Sequence, residues 1–177
     1  MTDGPTITRL SRAALPAAAP DLAALLLDAV DDGASVGFTS SLTSAQAEAW
    51  WRSRGTDLAD ERVVLWAAHD GGRLIGTVQL GLETSPNGRH RAEIAKLLVH
   101  RAARGRGIAR RLLATAEAFA AASGRTLLML DTQTGSAAES LYRTSGWSVL
   151  GTLPDYAADP SGTLRPTTFF HKSLGEK

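Results

Sequence analysis

The 177-residue chain has no cysteine. Disulfides, thiolate nucleophiles and cysteine–zinc sites are thereby excluded, and covalent catalysis would need another nucleophile. It also lacks an excess of either charge: 19 basic residues meet 18 acidic ones, a formal net charge of +1. A general nucleic-acid binder depends on surplus Lys and Arg, so no nucleic-acid partner is expected. No apolar run approaches the roughly 18 residues of a membrane span. The most apolar stretch, residues 13–30, is broken by Pro16, Pro20, Asp21 and Asp28. The N-terminus has no basic segment leading into an apolar run, so no signal peptide is expected and a cytoplasmic location is the default. His69, His90, His100 and His171 show no metal-ligand spacing, so no metal site is expected and they read as surface or strand-end residues. Repeats, low-complexity tracts and linkers are absent too. With 44% apolar residues over this length, one domain spanning 1–177 with a substantial core is expected.

What the chain does have is concentrated in residues 93–119. Residues 94–99 form a short branched apolar run, predicting a buried strand. Residues 100–107 form a loop containing Gly105 and Gly107 with Arg101, Arg104 and Arg106. From Ile108 onward the apolar positions Ile108, Leu112, Leu113, Ala116 and Phe119 recur at helical spacing. A strand, a glycine loop and a helix start together make an anion site. The first N–H groups of a helix have no partner inside it, and its dipole favours negative charge. Arg104, Arg106, Arg110 and Arg111 add positive charge. The expected ligand is phosphate-bearing, held over residues 104–110.

In chain order, residues 6–10 predict a first strand. Pro20 and Asp21 predict the opening of a helix that ends at Asp31, Asp32 and Gly33. Thr43 and Gln46 form a capping-box pattern for a second helix through Trp50 and Trp51, which either pack internally or line an acceptor pocket. Residues 62–69 and 73–82 predict strands joined by a turn at Asp70, Gly71 and Gly72. With the strand ending at Val99 they make an antiparallel meander. Residues 126–130 return as a strand parallel to that one. Residues 136–145 predict a short helix stopped by Gly146, and 147–152 and 167–172 the last strands. Residues 154–166 read as a long polar flap, in which Asp155, Tyr156 and Asp159 either touch an acceptor or serve ordinary loop roles. The element order predicts an α+β (mixed α/β) chain.

Two phosphate-binding classes compete. The Walker pattern is absent. A dinucleotide fold fits Gly105 and Gly107, with Asp131 at the end of the next strand, but its third glycine position is Arg110, too bulky for close helix–strand packing. Arg104, Gly107 and Ala109 instead resemble the Gln/Arg-x-x-Gly-x-Gly/Ala loop of the GNAT N-acetyltransferases. Ala138, Tyr142, Gly146 and Trp147 resemble that family's Ala-x-x-x-Tyr-x-x-x-Gly-Phe segment. The resemblance covers about residues 6–174. It departs at Gly135, where many members carry Asn.

The resemblance implies the GNAT fold, a central and mostly antiparallel mixed sheet flanked by helices. It implies acetyl-CoA as cofactor and a small-molecule amine as substrate, in a monomer or homodimer. The pantetheine arm would pair with Leu97, Leu98 and Val99, and the pyrophosphate would sit on Arg104, Gly105, Arg106, Gly107, Ile108, Ala109 and Arg110. Tyr142 would point toward the thiol sulfur. Asp131 is the first candidate base and Glu93 the second, since an amine of pKa about 10 must lose a proton before it attacks. Three stretches, 91–97, 130–136 and 153–167, resemble members that acetylate a β-lactam-containing dipeptide toxin, implying detoxification or antibiotic resistance. A coenzyme A-binding module without catalysis and an NAD-dependent oxidoreductase stand as alternatives.

Overall fold

The structure is a computed structural model describing residues 4–175. Its elements run β1 (Thr6–Leu10), α1 (Leu15–Asp31), α2 (Ser44–Ser53), α3 (Gly55–Ala59), β2 (Val63–Asp70), β3 (Arg73–Leu82) and β4 (Arg91–Val99). A 3-10 turn, Arg101–Ala103, then leads to α4 (Ile108–Ala122), β5 (Leu127–Gln133), α5 (Ala137–Arg143), β6 (Ser148–Ala158) and β7 (Leu164–Ser173). The seven strands form one sheet ordered β1-β2-β3-β4-β5-β7-β6. Among the described residues its one parallel pair is β4 with β5. This is the α+β GNAT fold, and it removes the doubly wound dinucleotide alternative, whose sheet is mostly parallel.

Two cores cover the two faces of the sheet. On one, α4 packs Ile108, Leu112, Leu113 and Ala116 against Val64, Trp66, Val78, Leu80, Ile94 and Leu128. On the other, α1 and α2 pack Leu22, Leu26 and Trp51 against Leu65, Ala67 and Leu98. The Thr43 capping box is formed: its side chain accepts from Gln46 N–H, and Gln46 Oε1 accepts from Thr43 N–H at 2.9 Å. The two tryptophans differ in burial. Trp51 is fully buried, while Trp50 is half-buried and edge-on to Trp51 and Phe38.

Three expectations need correction. Helix α1 opens at Leu15, with Pro16 in its first turn and Pro20 inside it. An interior proline costs about 3 kcal/mol. Burial of Leu15 and Ala19 offsets it, at about 2 kcal/mol for a large aliphatic side chain. Residues 154–166 are not a flap. β6 and β7 run on through most of them as a hairpin, leaving a turn of only residues 159–163. A register irregularity between Leu153 and Ala157 absorbs Pro154, and Asp155 takes φ +49 there. Asp159 locks the turn by accepting from the N–H groups of Ser161 and Thr163 and from Arg165 Nε at 2.8 Å. Finally, β4 is not a uniformly buried strand: Ile94 and Leu98 are buried, while residues 95–97 are half-exposed.

Candidate active site

The site begins where two strands part. β4 and β5 pair only from Arg91–Leu127 to Glu93–Met129. Among the described residues the β5-facing edge of β4 has no strand partner beyond Glu93; Val99 O there accepts from Arg104 Nε at 3.3 Å, and the edge before it is open to an extended ligand. On its other side, β4 carries a bulge. Thr77 faces Leu98 and Gln79 faces Ala95, so Lys96 and Leu97 together oppose Val78. Lys96 takes the left-handed φ of +49 that the extra residue requires. Leu97, Leu98 and Val99 thus lie along the open edge.

That edge leads to the start of α4. Gly105 and Gly107 both adopt left-handed backbone, φ +75 and +73, and Gly107 is the N-cap. A Cβ at either position would meet no heavy atom within 4 Å, so open space lies over both. Among the described residues no side chain caps α4, and its first N–H groups, around Ile108, Ala109 and Arg110, have no partner within the helix. The donors suit a pyrophosphate, and the residues fit acetyl-CoA there.

The arginines around the loop contact other protein groups. Arg104 reaches Asp32 at 2.5 Å, Arg106 reaches Asp70 at 2.8 Å, and Arg110 hydrogen-bonds Thr144 O and Ser145 Oγ at 3.2 and 3.1 Å. Arg101 holds Asp28 at 2.6 Å and ties the loop to α1. In this state the backbone supplies the free donors, and the guanidiniums brace the loop.

On the α1–α2 side of the sheet lies an open cavity of about 490 Å³ lined by Arg62, Arg91, Glu93, Met129, Asp131, Tyr156 and Phe169, among others. Glu93 and Asp131 come together here from adjacent strands. Both side chains are exposed to the cavity; partial desolvation raises the pKa of both and Asp131 raises that of Glu93 further, with Lys96 opposing the rise in each. Strand β5 runs two residues past Asp131, so this carboxylate projects from the strand's face rather than ending it. Tyr142 lies behind, almost fully buried between Trp147 and Phe170, with ring centroids 5.9 and 5.8 Å away. Desolvation raises its phenol pKa strongly, and the charge of Asp131 adds to this. The phenol therefore stays protonated and keeps an O–H to donate. Gly135 sits at φ +80 in the turn entering α5. Gly and Asn are the residues that adopt this conformation most readily, which accounts for the departure from the family's Asn.

Sequence reasoning missed Lys96. Its ammonium lies over the rings of Trp50 and Phe38, 5.2 and 6.0 Å from their centroids. Burial lowers its pKa against the opposing pull of Asp131 and Glu93. The available signal was a lysine inside an apolar strand, flanked by Ala95 and Leu97.

Residues 27–147 match the acetyltransferase (GNAT) family. The chain belongs to this family of acetyltransferases. N-acetyltransferase 8 of Rattus norvegicus is 36% identical over 98 residues, which make up 53% of this chain and 43% of that relative. The chain thus matches less than half the length of this relative. The ribosomal-protein-alanine N-acetyltransferase of Brucella melitensis superposes with a TM-score of 0.75 at 26% identity, covering 96% of this chain and 99% of its own. The phosphinothricin acetyltransferase of Sinorhizobium meliloti, solved in complex with acetyl-CoA, gives a TM-score of 0.79 at 21% identity over 99% and 90% of the two chains, a likeness of fold.

Proposed function

We propose that the protein is an acetyl-CoA-dependent N-acetyltransferase that transfers acetyl directly to the amine of a small molecule. The observation that carries this reading is the splay of β4 from β5. An unpaired strand edge runs toward free helix N–H groups, and two carboxylates of raised pKa stand where the strands diverge. Bound acetyl-CoA supplies an activated acetyl thioester.

Each step then falls to a group of this chain. N–H groups over residues 104–110 bind the pyrophosphate, aided by the α4 dipole. The free edge at Leu97, Leu98 and Val99 holds the pantetheine arm. A backbone N–H on that edge polarises the thioester carbonyl, an effect often worth about 3 to 4 kcal/mol. Asp131 or Glu93 takes the proton from the acceptor ammonium, directly or through water, and a raised pKa makes either carboxylate a better base near neutrality. Tyr142, held protonated, donates its O–H to the departing sulfur.

The acceptor we propose is a β-lactam-containing dipeptide or similar amine, making the activity one of detoxification or resistance. In support, the three stretches that resemble toxin-acetylating members each reach the cavity wall: Arg91 and Glu93 from the first, Leu130 and Asp131 from the second, Tyr156 from the third.

The test is thiol release from acetyl-CoA with a panel of amines that includes β-lactam dipeptides and free amino acids. The expected result is amine-dependent release that Tyr142→Phe slows about a hundredfold or more, within the roughly 10²–10⁴ range of a general acid. Acetyl-CoA binding without thiol release for any amine would leave a coenzyme A-binding module instead.

A further inference from the structure

Lys96 is costly where it stands. A non-glycine residue in left-handed backbone costs about 1–2 kcal/mol, and glycine would take the bulge position more cheaply. Backbone strain of this kind collects where a side chain must be aimed. The side chain is half-buried, and no hydrogen bond or ion pair holds it among the described residues; Glu93 and Asp131 act on it only through space. Lys172, by contrast, is paired with Glu117 at 2.7 Å. An unpaired ammonium withdrawn from water carries a desolvation cost that nothing in the free protein repays in full.

A second cation shares the same wall. The Arg54 guanidinium lies 5.2 Å from the Trp50 ring centroid. It pairs with Asp57 at 3.1 Å through Nη1, yet its Nε is buried without an acceptor. Its charge acts unfavourably on Lys96. Two cations are therefore held against one tryptophan, each with unused donor capacity, beside the cavity whose carboxylates suit an ammonium. Ser40 N–H donates to Pro160 O at 2.9 Å and ties the loop carrying Phe38 to the β6–β7 turn.

We propose that the acceptor carries a carboxylate as well as its reacting amine, and that Lys96 recognises it, with Arg54 reinforcing the positive potential from behind Trp50. Glu93 and Asp131 take the ammonium end and Lys96 the carboxylate end, so the site reads the two charges of an unblocked amino acid or short peptide. The inference rests on the N-acetyltransferase reading and narrows its substrate class.

The experiment compares matched acceptors, α-amino acids and unblocked dipeptides, each as the free acid and as the C-terminal amide, by thiol release from acetyl-CoA. The wild type is expected to favour the acid over the amide by about tenfold or more in kcat/KM, the scale of one charge-assisted hydrogen bond, with the difference in KM. Lys96→Met is expected to bring that ratio close to one, and Lys96→Arg to keep it. Equal use of acid and amide by the wild type would overturn the inference. So would a Lys96→Met variant that slows both alike, the signature of a purely structural lysine or one acting only on Asp131. If no probe turns over, binding is read from intrinsic tryptophan fluorescence with acetyl-CoA present, the Trp50 share being the change that is lost in Trp50→Phe. Quenching by the acids and not the amides, lost in Lys96→Met, supports the inference, and quenching by neither overturns it. Stabilisation by acetyl-CoA with no acid preference removes this inference alone. Absence of acetyl-CoA binding removes the reading beneath it.

Discussion

Asp131 and Glu93 would serve catalysis at a cost to the fold. Burial raises both pKa values above those of the unfolded chain. Such a group stabilises the fold fully below the ordinary carboxylate range, near pH 4, and loses that contribution as pH rises through the folded-state value. At neutral pH the partial desolvation of both ionised groups weighs against folding, reduced by solvent exposure and by the attraction of Lys96. Glu93→Gln and Asp131→Asn are therefore expected to raise Tm at pH 7, with the gain vanishing at about pH 4. Thermal unfolding across this range checks it, and a lower Tm at pH 7 would mean that the carboxylates are held by favourable partners. In the same variants, removal of the true base should abolish the acidic limb of the pH–rate profile. Both carboxylates were legible in the sequence from their strand positions and the family resemblance. Lys96 was not, because a single lysine between Ala95 and Leu97 reads as ordinary alternation. Its left-handed backbone sits in a bulge set by the register of β3 against β4, which is a tertiary property.

Elements were legible where their signals are local. The Thr43 capping box and the glycine turn at 71–72 depend on residues a few positions apart, and both formed as the sequence indicated. Two misreadings came from trusting a local signal over distant packing. Pro20 looked like a helix start, but the buried face of α1 carries the helix through it. The polar stretch 154–166 looked like a flap, but pairing with β7 extends β6 through it. The local cap gives a clean prediction. Thr43→Ala should cost about 1 kcal/mol, a fall in Tm of about 2–4 °C. Because α2 carries Trp50, the same change is expected to raise KM for the acceptor more than for acetyl-CoA. The start of α4 gives another. Gly107→Ala forces a Cβ into left-handed backbone at about 1–2 kcal/mol, and the displaced N–H groups should weaken acetyl-CoA binding about tenfold, the loss of roughly one charge-assisted hydrogen bond. Calorimetry on the folded variant checks both numbers, and unchanged affinity would move the pyrophosphate elsewhere.

At the scale of the molecule, one sheet arranges the chemistry. Its parallel pair lasts three residues and then opens, so the donor edge of β4, the free N–H groups of α4 and the carboxylate cavity meet around one divergence. The sequence carried the βαβ unit that makes the pair parallel, but not the splay, since nothing local in β4 or β5 states where pairing stops. The central claim is that this divergence binds acetyl-CoA. Its most direct test is thermal unfolding of the wild-type chain and of Gly107→Ala with acetyl-CoA or NAD, each at the same concentration. If acetyl-CoA is present at about 100 times its Kd, the wild type should gain about 2.7 kcal/mol, a rise of several degrees. Gly107→Ala should gain markedly less, and NAD should give no shift. Stabilisation by NAD alone, or an equal acetyl-CoA shift in both proteins, would contradict the account.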